Sequence, residues 1–377
     1  MRSINKNIVY LGFVSFFADM ASSMVTTLLP IFMVYVLHEG VDKLGIVIAI
    51  ATFISYAFRI LFGYLSDKYN IVKPFVVTGY FISALSQPLL ALSTTFMSVG
   101  LLRGVERMGK AVRSASKDSL ISSYSKKLEH GKTFGFHKMM DIAGELSGAF
   151  IIYLIFIYFS KDEKSIRLIF ELTLIPGLLA TFIALVFVKD APKNIDNKKS
   201  VINREDYKLL PVLFIYFGFI FFLMSEQFFI LRAKESGYSL ETIPLFVMSF
   251  TAIQTFTSYY SGILSDKLGS FKILLLSFVF AIISIVTVQI NLWIAFITLG
   301  LFTVLSLNAI RAYISQYANS KGFIFGVFYG GVAISSALGA LVVGYIWKLY
   351  GFESVVIFSV LGMLALTFLL IILVKKQ

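Results

Sequence analysis

Long apolar runs alternate with short polar breaks along almost the whole chain, and that alternation is its first legible feature. A membrane-spanning helix needs about 20 mostly apolar residues. Read by that length, the pattern predicts twelve spans at roughly 7–37, 44–66, 73–95, 98–121, 134–159, 167–188, 209–232, 241–265, 271–289, 292–317, 323–347 and 353–374. Spans 1, 5 and 11 are long enough to tilt or bend. One polar stretch is longer than the other breaks. KDAPKNIDNKKSVINREDYK (Lys189–Lys208) holds six basic and four acidic residues between two sets of six spans. It is expected to be a linker on the cytoplasmic side, with room for a short surface helix near its end. The expected organisation is a six-helix bundle over 1–188, a linker over 189–208 and a second six-helix bundle over 209–377. The opening MRSINKNIVYLGF shows no small-residue cleavage site after a short apolar core, so it is expected to be part of helix 1 and not a removed signal.

The two sets of spans resemble each other. Residues 63–70 read GYLSDKYN and residues 262–269 read GILSDKLG, each closing an apolar run. Helix 5 begins FGFHKMMDIAGELSG and helix 11 begins FGVFYGGVAISSALG, so that one common offset lays Phe134, Gly135 and Gly148 on Phe325, Gly326 and Gly339. Arg113 and Arg311 sit near the ends of helices 4 and 10. Landmarks in the same order at nearly constant offset imply a duplicated six-helix unit, an arrangement found in secondary transporters. The expected fold is therefore an all-α membrane protein of twelve helices in two pseudo-symmetric six-helix bundles.

The octets resemble the inner-loop signature Gly-x-Leu-x-Asp-Arg/Lys-x-Gly-Arg-Arg/Lys of the major facilitator superfamily, matched at Gly63, Leu65, Asp67, Lys68 and Lys73, with Asn70 in place of a Gly. LLRGVERMGKAVRSASKDSLI in helix 4 is similar to R-x-x-x-R-x-GKGIR-x-x-PRDAL of a prokaryotic branch, with Ala111 for its second Gly and Ser116 for its Pro. FADMASSM in helix 1 resembles the same branch, with Ser23 for a Glu. The resemblance implies alternating access by rocking of two halves around a central site. It also implies a cytoplasmic gate at Gly63, Asp67, Lys68, Arg113, Gly262, Asp266, Lys267 and Arg311. There each Asp meets a helix N-terminus or an Arg, Asp67 with Arg113 and Asp266 with Arg311. The plainer reading is that both Asp simply end a span in solvent.

Composition narrows the class further. The chain is 58% hydrophobic and only 14% charged, where soluble domains carry nearer a quarter. Its net charge of +12 is concentrated on the side that carries the termini, which is the positive-inside signal and not a nucleic-acid footprint. That places both termini in the cytoplasm of a cell membrane whose anionic inner lipid the basic loops face. With 0 Cys there is no disulfide or thiolate site, and the 3 His lack metal-ligand spacing, so no metal or cofactor is expected. No phosphate-binding P-loop occurs, which argues against a pump, and no nucleophile with paired carboxylates argues for an enzyme.

Ionisable residues inside spans are costly and by default line a cavity or pair with one another. The first half holds Asp19, Arg59, Arg103, Glu106, Arg107, Lys110, Arg113, Lys138, Asp141 and Glu145, whereas the second holds little beyond Glu226 and Arg311. Arg103, Glu106, Arg107, Lys110 and Lys117 recur at three- and four-residue steps, one charged stripe on helix 4. At about 1.5 Å per residue, Lys110 and Glu145 sit about 11 residues above the inner edge and Asp19 about 12, so the three are expected to meet near mid-membrane. Asp141 lies one turn lower, near Arg113. Two readings stay open: compensated pairs that hold the bundle, or a basic site in which Arg103, Arg107 and Lys110 receive an anionic group. Proton coupling calls for a buried carboxylate, with Asp19, Asp141, Glu145 and Glu226 as candidates. Gly135, Gly144 and Gly148 resemble a glycine pattern of superfamily antiporters, though small residues at such steps also serve helix packing. The expectation is proton-coupled export of a small amphipathic or anionic compound by a monomer. The alternatives are proton-coupled uptake of an organic anion and a non-transporting receptor or scaffold of the same fold.

Overall fold

The computed structural model describes residues 5–69, 71–125, 130–190, 204–318 and 321–375. It is all helical: α1 (Lys6–Ile31), α2 (Val41–Lys68), α3 (Lys73–Leu89), α4 (Phe96–Tyr124), α5 (His130–Tyr158), α6 (Glu163–Leu172), α7 (Leu174–Val186), α8 (Leu210–Phe222), α9 (Glu226–Glu235), α10 (Ile243–Leu268), α11 (Ser270–Thr287), α12 (Leu292–Tyr317), α13 (Lys321–Tyr350) and α14 (Phe352–Lys375). Two expected spans are broken helices. The sixth divides at Thr173, because Pro176 has no N–H to continue the ladder, and Thr173 turns its hydroxyl back to the Phe170 carbonyl at 2.5 Å. The seventh divides between α8 and α9, where Leu223 and Ser225 take extended backbone. Counting α6 with α7 and α8 with α9, the fourteen helices make the twelve expected spans. A 3-10 turn over Arg204–Leu209 leads into α8, where the polar stretch ends.

Ten of these spans, among the described residues, are long and apolar enough to cross a bilayer by composition alone. Of the other two, α4 is crowded with charge. A helix of that composition crosses lipid only if its polar face is covered by neighbours.

The chain forms two compact units. Unit 1 comprises Met1–Glu39, Ile50–Asn197 and Ser239–Leu245, and unit 2 comprises Gly40–Ala49, Lys198–Tyr238 and Phe246–Gln377. In unit 1, α1 packs on α5 and α3 packs on α4. Between helices in lipid, close backbone approach replaces the hydrophobic drive, so small residues mark the crossings. Gly79 and Gly109 face each other: a Cβ on Gly79 would stand 2.6 Å from the Gly109 carbonyl oxygen, and one on Gly109 2.7 Å from that of Gly79. Gly148 lies against the Met20 carbonyl of α1. Its sequence equivalent, Gly339 of α13, lies against the Phe221 carbonyl of α8. The same glycine thus makes the same kind of crossing in both units, which is the duplication seen as packing.

Unit 2 is held mainly by aromatic contact. Phe219 stacks on Phe278 with centroids 3.6 Å apart, and Phe246 lies parallel to Phe296 at 5.3 Å. Loop polarity is spent on caps. The Asp162 carboxylate accepts from the Ser165 N–H at 3.0 Å to start α6, and that bond holds its pKa below the usual value.

Leu at position 148 or 339 must push α5 off α1, or α13 off α8, an overpacking cost of about 1–3 kcal/mol. We expect Gly148→Leu and Gly339→Leu each to lower Tm in detergent by about 5 °C or more. Gly326→Leu, whose new Cβ meets nothing within 4 Å, should leave Tm nearly unchanged. Equal Tm values for all three would refute the packing account.

Candidate functional site

The charged stripe of α4 divides into two parts with different fates. Nearer its start, Arg103 and Glu106 are buried, each side chain 1% exposed, and form an ion pair at 2.8 Å. Arg107 Nε reaches the same Glu106 oxygen at 3.1 Å. One carboxylate thereby serves two guanidinium groups, and Glu106 Oε1 and Arg103 Nε keep no hydrogen-bond partner. This is a compensated cluster of the kind that holds a helix in register. Of the three cations expected to receive an anion, Arg103 and Arg107 are therefore engaged here.

The other part opens on a cavity of about 110 Å³ inside unit 1. Ala18 and Asp19 of α1, Tyr80 of α3, Lys110, Arg113, Ser114 and Lys117 of α4, and Lys138, Asp141 and Glu145 of α5 line it. Asp19, Lys110 and Glu145, the trio expected near mid-membrane, are thus brought to one cavity, with Asp141 and Arg113 beside them. Among the described residues, the side chains of Lys110, Lys138, Asp19 and Glu145 make no hydrogen bond or ion pair within 4.0 Å. Their charges converge without closing on one another. Four cations face three carboxylates, so the lining carries one positive charge in excess when all are ionised.

Below this group lies a tighter network. Arg113 donates to Ser83 Oγ at 2.6 Å and to the Gly79 carbonyl at 3.3 Å, with its guanidinium 4.4 Å over the Tyr80 ring. Lys117 Nζ donates to Ser15 Oγ at 3.1 Å, and Ser15 Oγ stands 2.8 Å from His137 Nε2 and 3.4 Å from the Tyr80 hydroxyl. His137 Nδ1 lies 3.4 Å from Asp141 Oδ1. Ser15, Tyr80 and His137 were not singled out from the sequence. The i,i+4 step from His137 to Asp141 is the one local signal in the sequence that could have found His137, and the sequence carries none for Ser15 or Tyr80.

The expected gate residues divide as well. Gly63 lets α2 approach α4, since a Cβ there would lie 3.2 Å from Ala115 Cβ. Its octet neighbour Ser66 accepts from Ser116 Oγ at 2.9 Å, so the octet fastens α2 to α4. Arg113, expected to meet Asp67, is held on α3 as described. Arg311, expected to meet Asp266, donates to the Tyr329 hydroxyl at 2.9 Å. The side chains of Asp67, Gly262 and Asp266 lie outside the described residues. Lys68 and Lys267 are exposed at the ends of α2 and α10. Glu226 opens α9 in unit 2, where a carboxylate in a first turn suits the helix dipole. A wider groove of about 690 Å³ opens at the ends of α10, α11 and α12, and among the described residues Lys272 is its single charged lining residue.

The model of the Major Facilitator Superfamily matches residues 11–319. The chain belongs to that superfamily. It is 33% identical over 366 residues to an uncharacterised MFS-type transporter of Methanocaldococcus jannaschii, covering 92% of this chain and 90% of that protein. It is 24% identical over 373 residues to a probable nitrate transporter, NarT, of Staphylococcus aureus, with the same two coverages, 92% and 90%. Among solved structures it resembles the nucleoside transporter NupG, with TM-score 0.79, 14% identity and coverage of 99% and 100%. It also resembles a POT family transporter in complex with 5-aminolevulinic acid, with TM-score 0.78, 10% identity and coverage of 98% and 96%. As a member of this superfamily the chain is a multi-pass membrane transporter of small molecules and not an enzyme.

Removing one partner of a buried ionic cluster strands the others, at about 3–5 kcal/mol, whereas replacing the whole cluster with apolar groups of similar size is often neutral. Glu106→Gln should therefore lower Tm more than the triple change Arg103→Met, Glu106→Leu, Arg107→Met. Thermal unfolding of the two variants side by side decides it, and the reverse ranking would show that the cluster is not the compensated unit described.

Proposed function

We propose that this chain is a proton-coupled secondary transporter that takes up a small anion by alternating access, with both termini in the cytoplasm of a cell membrane. It works as a monomer whose basic cytoplasmic loops face anionic lipid. The single observation that carries this reading is the unit 1 cavity, where Lys110 and Lys138 have no direct anionic partner among the described residues. An anion entering it would meet cations already in place, and a lysine or arginine lining suits nitrate, carboxylate or sulfonate oxygens.

Co-transport follows from the sign of the charges. Protonating Asp19, Asp141 or Glu145 removes a negative charge from the lining and raises its positive excess. Two unit charges about 5 Å apart at an effective dielectric near 20 interact by on the order of 3 kcal/mol. Proton binding therefore strengthens anion binding, and by linkage anion binding strengthens proton binding to the same degree. Ligands that favour one another's binding travel together, and a one-to-one pair of anion and proton is electroneutral. Exchange, by contrast, requires the two to exclude each other. Gly144 and Gly148 of helix 5 lie against the Phe16 and Met20 carbonyls, contacts that serve helix packing whichever way the solute moves. The relative described as a probable nitrate transporter makes nitrate the natural first probe.

The test uses purified protein in lipid vesicles, with nitrate and methanesulfonate as probes because neither leaks across as a neutral acid. An inside-alkaline pH gradient should drive accumulation of at least one of them, and Lys110→Ala should reduce it at least tenfold. Gradient-independent flux, or anion leaving as protons enter, would overturn co-transport. The octets supply the second expectation. If they close the cytoplasmic side, Asp67→Asn and Asp266→Asn should each slow transport several-fold with Tm unchanged, and undiminished flux in both would remove the gate.

A further inference from the structure

His137 is a buried titratable residue that the anion-binding reading leaves without a task. It sits one helical turn from Asp141 on α5, 5% exposed, on the side of the cavity toward the start of that helix. Ser15 of α1 and Tyr80 of α3 close the network around it, Lys117 faces it from α4, and Lys138 and Asp141 accompany it on its own helix. Asp19 of α1 contributes the remaining nearby charge.

The order of Ser15 Oγ, His137 Nε2, His137 Nδ1 and Asp141 Oδ1 is that of a hydrolase triad, yet it is not a nucleophile. Ser15 is 1% exposed, and its oxygen already accepts from Lys117. What the arrangement provides is an imidazole whose two nitrogens are satisfied in either protonation state. In the neutral ring that can receive a proton at Nδ1, Nε2 carries the hydrogen and donates it to Ser15 Oγ, whose second lone pair accepts from Lys117. That bond persists when the ring is doubly protonated. On the other side Asp141 Oδ1 is buried, stands 3.4 Å from Nδ1 and has no hydrogen-bond partner. A buried carboxylate oxygen left open beside an imidazole nitrogen is an interaction that forms when a proton is present.

From this geometry we infer that His137 is a second station for the transported proton, receiving it from Asp141. The step balances simply: protonated Asp141 gives its proton to Nδ1, leaving a carboxylate and an imidazolium that donates back to it from Nδ1 and to Ser15 from Nε2. The reverse transfer restores both groups. Handing the proton out of the cavity removes the charge that held the anion there, so this step would time anion release. The inference rests on the proton-coupled reading and adds to it the residue by which the proton leaves the anion's side.

Amide variants separate this from a merely structural role. Glutamine and asparagine keep a polar group near Nε2 and Nδ1, respectively, but do not titrate. Vesicles holding a pH-sensitive dye report proton entry, ¹⁵N-nitrate against unlabelled nitrate reports exchange, and gradient-driven nitrate accumulation reports coupling. His137→Gln or His137→Asn, whichever keeps the wild-type Tm, should retain exchange within about twofold while accumulation and proton entry fall at least tenfold, with a flattened pH profile. Accumulation equal to wild type in that variant overturns the inference. So does a parallel fall of exchange and accumulation, which loss of the contact between α1 and α5 would give. Wild-type protein that moves nitrate without protons, or moves neither nitrate nor methanesulfonate, defeats the proton-coupled anion reading itself, and the station with it.

Discussion

A helix that carries Arg103, Glu106, Arg107, Lys110, Arg113 and Lys117 cannot face hydrocarbon, and the architecture of unit 1 answers that constraint. The answer requires backbones close enough for side chains of α1, α3 and α5 to reach α4. Glycine pairs supply that proximity, Gly79 on Gly109 bringing α3 against α4, and Gly144 and Gly148 bringing α5 against α1. With those crossings in place, Ser83 and the Gly79 carbonyl can hold Arg113, and Ser15 can hold Lys117. The packing and the polar chemistry are therefore linked, most directly where Gly79 of α3 makes room for Arg113 of α4.

The same constraint explains why the stripe divides. Near the start of α4 Arg103 and Glu106 are enclosed, and a carboxylate shared by two guanidinium groups offsets half of their charge. Enclosed charge without compensation would destabilise the unit by several kcal/mol. Two turns further on the enclosure is incomplete, a cavity intervenes, and lysines and carboxylates remain at a distance from one another. Space that a ligand can enter is what allows charge to stay unpaired there.

Much of this was legible in the chain. The span count follows from apolar run length, and the octets with the helix 5 and helix 11 glycines revealed the duplication, because a close helix crossing tolerates few residue types. Gly148 and Gly339 are the clearest case, aligned by offset and then found against equivalent carbonyls. Depth counting brought Asp19, Lys110 and Glu145 to one level, since a straight helix rises by a fixed amount per residue. Direction around the helix axis was harder to read. Arg103, Arg107 and Lys110 share a stripe, yet which neighbour each one meets depends on where α1, α3 and α5 cross. The stripe alone therefore groups Arg103 and Arg107 with Lys110, although Glu106 engages both, and it gives no sign that Arg113 meets Ser83. The breaks at Thr173 and at Leu223–Ser225 are harder to read, since each lies inside a segment that is still apolar enough overall to span a membrane.

Two helical units from one ancestral pattern need not share chemistry. In unit 2 the positions around α11 and α12 are filled by Phe278, Phe296 and Phe302, and neutral groups such as Asn308 with Ser261 and Tyr216 with Ser306 share hydrogen bonds. An aromatic core needs no counter-charges. Unit 1 accepts the cost of buried charge, and with it gathers lysines and carboxylates around one cavity. The duplication therefore preserves the helix crossings, which are fixed by backbone geometry, while the side chains facing the interior are free to diverge into one unit rich in buried charge and one packed by aromatic rings.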